Sequence, residues 1–233
     1  MPNIPRPTSK VQRPRSEVQG RFNRDALKAL LNRYGIAEET QSALRFLKYL
    51  DLLEKWNARV NLTATTDWDT LGALFEEGIW AAGSYPETSV SHLDIGSGSG
   101  FPALLMRIMR PRMRLTMVEP RGKRTAFLET ACHELALTGS MVFNGRLEEF
   151  VDRRAAAERW DFVSWKALKL ERREITKLLL QCDRQTQFWL FHSARLPVAD
   201  DATELLELQR REPFPGKPSW HLSFMRKNVS RET

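Results

Sequence analysis

Gly96-Ser97-Gly98-Ser99-Gly100 interrupts an otherwise apolar stretch, and Asp94 stands two positions before the first glycine. Glycines at this spacing let a backbone approach a ligand closely. A Cβ would block the approach, and some turn positions need φ > 0. Residues 90–95 read as a short strand, broken by Ser91 and His92, and residues 102–110 read as a helix. Strand, glycine turn, helix is how an α/β sheet receives a nucleotide-like ligand. The dinucleotide fingerprint G-x-G-x-x-G is not met, because Phe101 fills the third glycine position counted from Gly96. A nicotinamide-dependent dehydrogenase is therefore disfavoured. An ordinary tight loop stays open on these residues alone.

A second apolar run, residues 115–118, ends at Glu119, 23 residues after Gly96. A carboxylate about 20 residues beyond such a turn offers acceptors for the two hydroxyls of a ribose; the plain alternative is a solvated strand-end acid. A third strand, residues 141–143, leads into Asn144-Gly145-Arg146-Leu147-Glu148, where an adenine would lie in this layout. The acidic-x-G-x-G-x-G form resembles the first motif of class I S-adenosylmethionine methyltransferases. The resemblance implies that these glycines make room for the methionine and ribose of that cofactor.

Further pieces resemble one family. They are GSGSGFP, Arg110-Pro111, the GKR of residues 122–124, Phe127-Leu128, the HEL of residues 133–135 and the GRLEE of residues 145–149. Upstream, the stretch LLEKWNARVNLTATTD, residues 52–67, is similar to that family's helix-to-NLTA junction. The chain resembles the bacterial small-subunit rRNA guanine-N7 methyltransferases, the glucose-inhibited division protein B family, over about residues 44–150. The resemblance implies a Rossmann-like α/β fold with a seven-stranded, mostly parallel sheet and an N-terminal helical extension. It implies S-adenosylmethionine as cofactor and 16S rRNA or the small ribosomal subunit as partner. The implied cofactor residues are Gly96, Gly98, Phe101, Glu119, Leu147, Glu148 and Lys166. Arg121, Lys123 and Arg124 would guide RNA phosphate, or else simply form a charged helix start. No catalytic base is assigned, since guanine N7 carries a free lone pair and no proton to remove.

The fourth strand departs from the family pattern FD-x-V-x-S-R-A. Trp165 stands in the Ser position and Lys166 in the Arg position, which keeps the charge and loses the guanidinium fork. Trp165 is expected either to stack on a base or to fill the core. The family's RHL appears as Trp220-His221-Leu222. These departures leave two other readings open: a same-fold methyltransferase acting on another RNA or a small molecule, and a non-catalytic RNA-binding protein that keeps the cofactor.

Amphipathic patterns place helices at 22–34, 40–60 and 67–82, with Leu27, Leu30, Leu31 and then Leu44, Leu47, Leu50, Leu53 on the inner faces. Strands then alternate with helices. Strands are expected near 91–95, 115–119, 140–144, 160–165, 186–191, 204–210 and 220–226. Helices are expected near 102–110, 121–137, 146–154 and 171–183. The organisation reads as a tail (1–21), a helical extension (22–86) and the sheet domain (87–233).

Residues 1–24 carry six basic side chains against Glu17 alone, most of the chain's net +7, among Pro2, Pro5, Pro7 and Pro14. Such an arm suits RNA phosphate or simple solubility. A second basic group comprises Arg107, Arg110, Arg112, Arg114, Arg121, Lys123 and Arg124, expected to flank the cofactor loops. Cys132 and Cys182 form no C-x-x-C and read as buried helix thiols, and the four histidines show no metal-ligand spacing. No apolar run reaches the length of a membrane span, and no secretory signal is visible. A cytoplasmic monomer is the expectation.

Overall fold

The computed structural model describes residues 23–63, 67–153 and 159–228; the tail expected at 1–21 lies outside them. Three helices come first: α1 (Arg24–Arg33), α2 (Gln41–Asn57) and α3 (Trp68–Gly83). Asn23, Thr40 and Asp67 cap them, each side chain accepting an N–H of the first turn. Such a cap contributes about 1 kcal/mol. Asn57 Oδ1 accepts from the N–H groups of Leu62 and Thr63 at 2.8 and 3.0 Å, which turns the chain sharply after α2.

Leu27, Leu30 and Leu31 are buried, but Leu44 is 55% exposed. At about 100° per residue, four leucines spaced by three walk round about half the helix, so they cannot all face inward. The buried stripe of α2 runs instead through Phe46, Tyr49, Leu50 and Leu53.

The sheet contains β1 (Ser91–Ile95), β2 (Arg114–Glu119), β3 (Ser140–Asn144), β4 (Phe162–Lys166), β5 (Gln187–His192), β6 (Leu206–Phe214) and β7 (Lys217–Lys227). Between them run α4 (Ala103–Met109), α5 (Gly122–Glu134), α6 (Leu147–Arg153) and α7 (Arg172–Leu179). The spatial order is β3-β2-β1-β4-β5-β7-β6. The first five strands are parallel, and β7 returns antiparallel between β5 and β6. Strand order reverses at β1 and β4, which opens a crevice beyond their carboxyl ends.

Side chains alternate across the sheet with period two. Trp189 and Phe191 of β5 join a core shared by this face and helices α1 to α5. Phe188 and Leu190 join the opposite core, under α6 and α7. The first three helices thus close over one face of the sheet.

Some boundaries differ from expectation for local reasons. Helix α5 ends at Glu134 in a Schellman turn: Leu137 N–H reaches Cys132 O, Ala136 N–H reaches His133 O, and Ala136 takes φ 49°. Helix α7 ends at Leu179, because Asp183 Oδ1 draws the N–H groups of Gln185 and Thr186 into a turn that leads to β5. Cys182 therefore lies beyond that helix, buried but not helical. Residues 200–205 form a 3₁₀ turn, so β6 starts later than expected and runs further.

Candidate functional site

The glycine loop leaves β1 at the crevice. Gly96, Gly98 and Gly100 have φ of 69°, 60° and 94°, all in the left-handed region that favours glycine. Two of them also need their lack of a side chain. A Cβ on Gly96 would come within 2.9 Å of Leu168, and one on Gly100 within 2.9 Å of Leu104. At Gly98 the space is open, with Arg124 the nearest side chain at 3.6 Å. The chain thus presents bare backbone outward at Gly98. Tyr49 of α2 fixes the far side of the loop by donating its hydroxyl to the Ser99 carbonyl.

Glu119, at the end of β2, is 3% exposed and holds two loops together. One carboxylate oxygen accepts from Gly98 N–H at 2.8 Å, the other from Arg121 N–H at 2.9 Å. Each oxygen keeps a further lone pair for a ligand hydroxyl. Arg121, Lys123 and Arg124 follow at the start of α5, which has no acid in its first turn. Cations there oppose the helix dipole at a cost of about 0.3–1 kcal/mol. Helix stability therefore does not account for them, whereas an anionic ligand would.

Sequence reasoning missed what surrounds Asp94. Tyr85 donates its hydroxyl to His92 Nδ1 (3.0 Å), His92 Nε2–H donates to Ser164 Oγ (2.7 Å), and Ser164 donates to Asp94 Oδ1 (2.6 Å). Burial pushes the His92 pKa down to about 3, so the ring is neutral and this direction of donation is self-consistent. Burial also raises Asp94 to about 6, against the Ser164 and Ser97 hydrogen bonds that lower it. The register of β1 on β4, with Asp94 beside Ser164, builds the contact. The signal was present as polar residues at 91, 92 and 164 inside apolar strands.

These features gather at the switch point: a glycine cradle, a doubly bonded acid and a buried acid at the strand end. The model of the GidB family, rRNA small subunit methyltransferase G, matches residues 42–214. The chain belongs to this family. It is 32% identical over 148 residues to the ribosomal RNA small subunit methyltransferase G of Streptococcus pneumoniae (strain ATCC BAA-255 / R6), the match covering 60% of each chain. The like-named protein of Exiguobacterium sibiricum is 34% identical over 149 residues, covering 63% of each chain. The matched segment thus spans less than two thirds of these relatives' length. Among solved structures, a mutant of MtNAS in complex with S-adenosylmethionine superposes with a TM-score of 0.55 at 16% identity, covering 90% of this chain and 85% of that one. The fold is that of the class I S-adenosylmethionine methyltransferases, as the family resemblance implied.

Against the GidB pattern, several positions behave differently from expectation. Phe101 packs its ring edge-on to Tyr49 and Phe75, with centroids 5.6 and 5.4 Å away, so it offers a ligand only its backbone. Leu147 opens α6 with its side chain in the second core, while Glu148 beside it is half-buried. Trp165 is fully buried and donates its Nε1–H to Pro197 O at 2.9 Å. It is a core residue and cannot stack on a base.

Lys166 gives its charge to Glu77 of α3, a carboxylate 3% exposed, which also accepts Trp220 Nε1–H. Arg107 turns inward to Thr138 O and Arg110 to Tyr85 O. Both lie on α4 or just past it, at the opposite edge of the sheet with Arg112 and Arg114, because a parallel strand begins where its neighbours begin. That half of the expected basic group does not flank the loops. Leu168, 38% exposed over Gly96, was not anticipated as an apolar cover for the cradle. Among the described residues no His, Cys, Asp and Glu cluster could hold a metal, and no helix is long and apolar enough to cross a membrane.

Proposed function

We propose that the protein is an S-adenosylmethionine-dependent methyltransferase acting on guanine N7 of small-subunit rRNA. The observation that carries this reading is the cradle at Gly98, where open backbone and the Glu119 carboxylate meet. The residues present fit the cofactor. Gly98 leaves room for it, Gly96 gives the turn its left-handed conformation and lets Leu168 pack over it, and Glu119 keeps lone pairs for the ribose hydroxyls. The backbone of Phe101 and Leu147 and the Glu148 side chain would bound the remaining space. Bound S-adenosylmethionine supplies a methyl group already activated by the positive charge on sulfur. The chain's part is alignment and exclusion of water. No residue has to remove a proton, since N7 attacks through a lone pair. Lys166, neutralised by Glu77, supports the wall of the crevice and the placement of Trp220.

Arg121, Lys123 and Arg124 line the entrance with positive charge for RNA phosphate. The substrate is small-subunit rRNA, free or within the subunit, and the protein acts as a monomer in the cytoplasm.

Transfer of radiolabelled methyl to small-subunit rRNA and to the subunit particle tests the reading, with mass spectrometry locating N7-methylguanine. Calorimetry should show S-adenosylhomocysteine binding and no NAD binding. Cofactor binding without methyl transfer to either substrate would overturn the rRNA activity and favour a retained, non-catalytic scaffold.

A further inference from the structure

A cavity of about 710 Å³ opens beside the cofactor crevice, at the carboxyl ends of β4 and β5. Lys169, Arg195 and Arg211 line it, with Asp200 as the one acid on its wall. Among the described residues none of the three cations has an ion-pair partner, whereas Arg172 and Arg210 nearby pair with Glu204 and Glu212. Cations left without carboxylates around one concavity are arranged for an anion from outside.

One of them is held in place from beneath. Arg211 Nε donates to Ser223 Oγ at 3.1 Å. Ser223 donates in turn to His192 Nε2 at 2.8 Å, and His192 Nδ1–H donates to the Ser193 carbonyl at 2.7 Å. Ser223 is fully buried and His192 nearly so. The Ser193 carbonyl can only accept, so Nδ1 carries the ring proton and Nε2 is left to accept from Ser223; burial lowers the His192 pKa and favours this neutral form. With Nε occupied, the two terminal nitrogens of the Arg211 guanidinium remain as a fork, the geometry that grips a phosphate through two hydrogen bonds.

The cavity also has an aromatic wall. Trp220 opens toward it at the residue before His221, which pairs with His192 at the end of β5. Its Nε1–H is held by the buried Glu77 carboxylate, and Lys166 and Lys217 place their ammonium groups 5.5 and 5.6 Å from its ring centre. The ring is thus oriented without being buried in the core. A fixed indole beside free cations is the combination that binds unpaired nucleotides, the bases stacking on the ring and the phosphates meeting the charges.

We infer that this cavity is a binding site for a single-stranded nucleotide of the RNA substrate, with Trp220 as the stacking platform and Arg211, aided by Lys169 and Arg195, as the phosphate clamp. The inference rests on the rRNA methyltransferase reading and adds to it where the acceptor strand lies. It places the RNA on the β4–β5–β7 side, across the crevice from Arg121, Lys123 and Arg124.

The test uses the full chain and three variants: Trp220→Phe, Trp220→Leu and Arg211→Gln. Methyl transfer to small-subunit rRNA, calorimetric affinity for S-adenosylhomocysteine and anisotropy of a labelled single-stranded oligoribonucleotide are measured for each. Cofactor affinity should not change in any variant. Trp220→Phe keeps a stacking face and should retain RNA affinity within about threefold, while Trp220→Leu should lose roughly tenfold or more. The loss in transfer should sit mainly in KM. Arg211→Gln should weaken binding and lower the log–log salt slope by about 0.7 for a single-stranded phosphate contact. Equal losses in Phe and Leu would assign Trp220 to its Glu77 hydrogen bond alone and overturn the platform. Unchanged binding in Trp220→Leu and Arg211→Gln would overturn the site. If wild type transfers no methyl to RNA, the oligonucleotide arm still decides the cavity, and the activity proposal fails separately.

Discussion

The two sides of the crevice are built on different principles. On the β1–β2 side, backbone does the holding: three left-handed glycines, two N–H groups on Glu119 and a carbonyl on Tyr49. On the β4–β7 side, side chains do it: Glu77 with Lys166 and Trp220, and Arg211 with Ser223 and His192. A backbone cradle tolerates few substitutions, because its shape depends on glycine conformations. A side-chain lattice can be rebuilt by exchanging partners together. In the resemblance read from the sequence, the glycine motif falls on the first side and the departures at Trp165, Lys166 and Trp220 fall on the second.

The largest effect should come from breaking the cradle. Gly98→Val forces a branched residue into φ 60° and fills the open space beside Arg124. Left-handed backbone alone costs roughly 1–2 kcal/mol for a residue with a Cβ. Calorimetry should find no measurable S-adenosylhomocysteine binding while circular dichroism shows a retained fold. Unchanged affinity in a folded variant would remove the glycine loop from the site.

On the other side, Lys166→Ala strands Glu77 in the interior, where among the described residues its carboxylate keeps only Trp220 Nε1–H. Removing one partner of a buried pair costs about 3–5 kcal/mol, an upper figure here because Lys166 keeps some solvent contact. Thermal unfolding should shift down by many degrees and methyl transfer should fall. Lys166→Arg should preserve both, and Lys166→Met with Glu77→Gln should restore most of the stability. A Lys166→Ala protein as stable and active as wild type would dissolve the lattice described for this side.

Glu119→Gln sharpens the contrast at intermediate size. The amide replaces one acceptor by a donor, so either Gly98 or Arg121 N–H faces a donor. A buried donor left unpaired costs about 1–3 kcal/mol. Cofactor affinity should fall by roughly tenfold, while oligonucleotide binding at the opposite wall stays unchanged.

The smallest effect lies in pH dependence, at the seam between the sides. Asp94, raised to about 6 from 3.8, binds its proton more readily when folded, so its contribution to stability declines as pH rises through that window. His92, lowered to about 3 from 6.5, binds its proton more readily when unfolded, so its contribution grows as pH rises through nearly the same window. The two oppose each other between about pH 4 and 6. His92→Gln should leave a stability that falls with pH there, and Asp94→Asn one that rises. Denaturant titrations at pH 4.5, 5.5 and 6.5 read the slopes, and parallel slopes in both variants would refute the pairing.

Much of this was legible in the chain. Strand and helix order followed from alternating apolar runs, and the cradle followed from glycine spacing, because both are local signals. Leu44 was misplaced because a spacing of three approximates the helical repeat only over short distances. The basic group split because sequence proximity does not say at which edge of a sheet a residue emerges, and Arg107 and Arg110 emerge at the far one. Trp165, left open between stacking and the core, is a core residue, and Trp220, given no role from the sequence, borders a cavity, for a similar reason. Which tryptophan faces the crevice depends on register against β5 and on a partner in α3, 143 residues away from Trp220.

The hydroxyl of Tyr49 has a meaning for how this protein can be taken apart. The shape of the glycine loop includes a hydrogen bond supplied by a helix 50 residues earlier. A chain begun at residue 87 would keep every residue of the cradle and lose the group that pins its outer carbonyl, along with the cover over one face of the sheet. The sheet is therefore not a portable cartridge. Any exchange of modules between relatives has to carry the leading helices with it, or supply a hydroxyl at the same point.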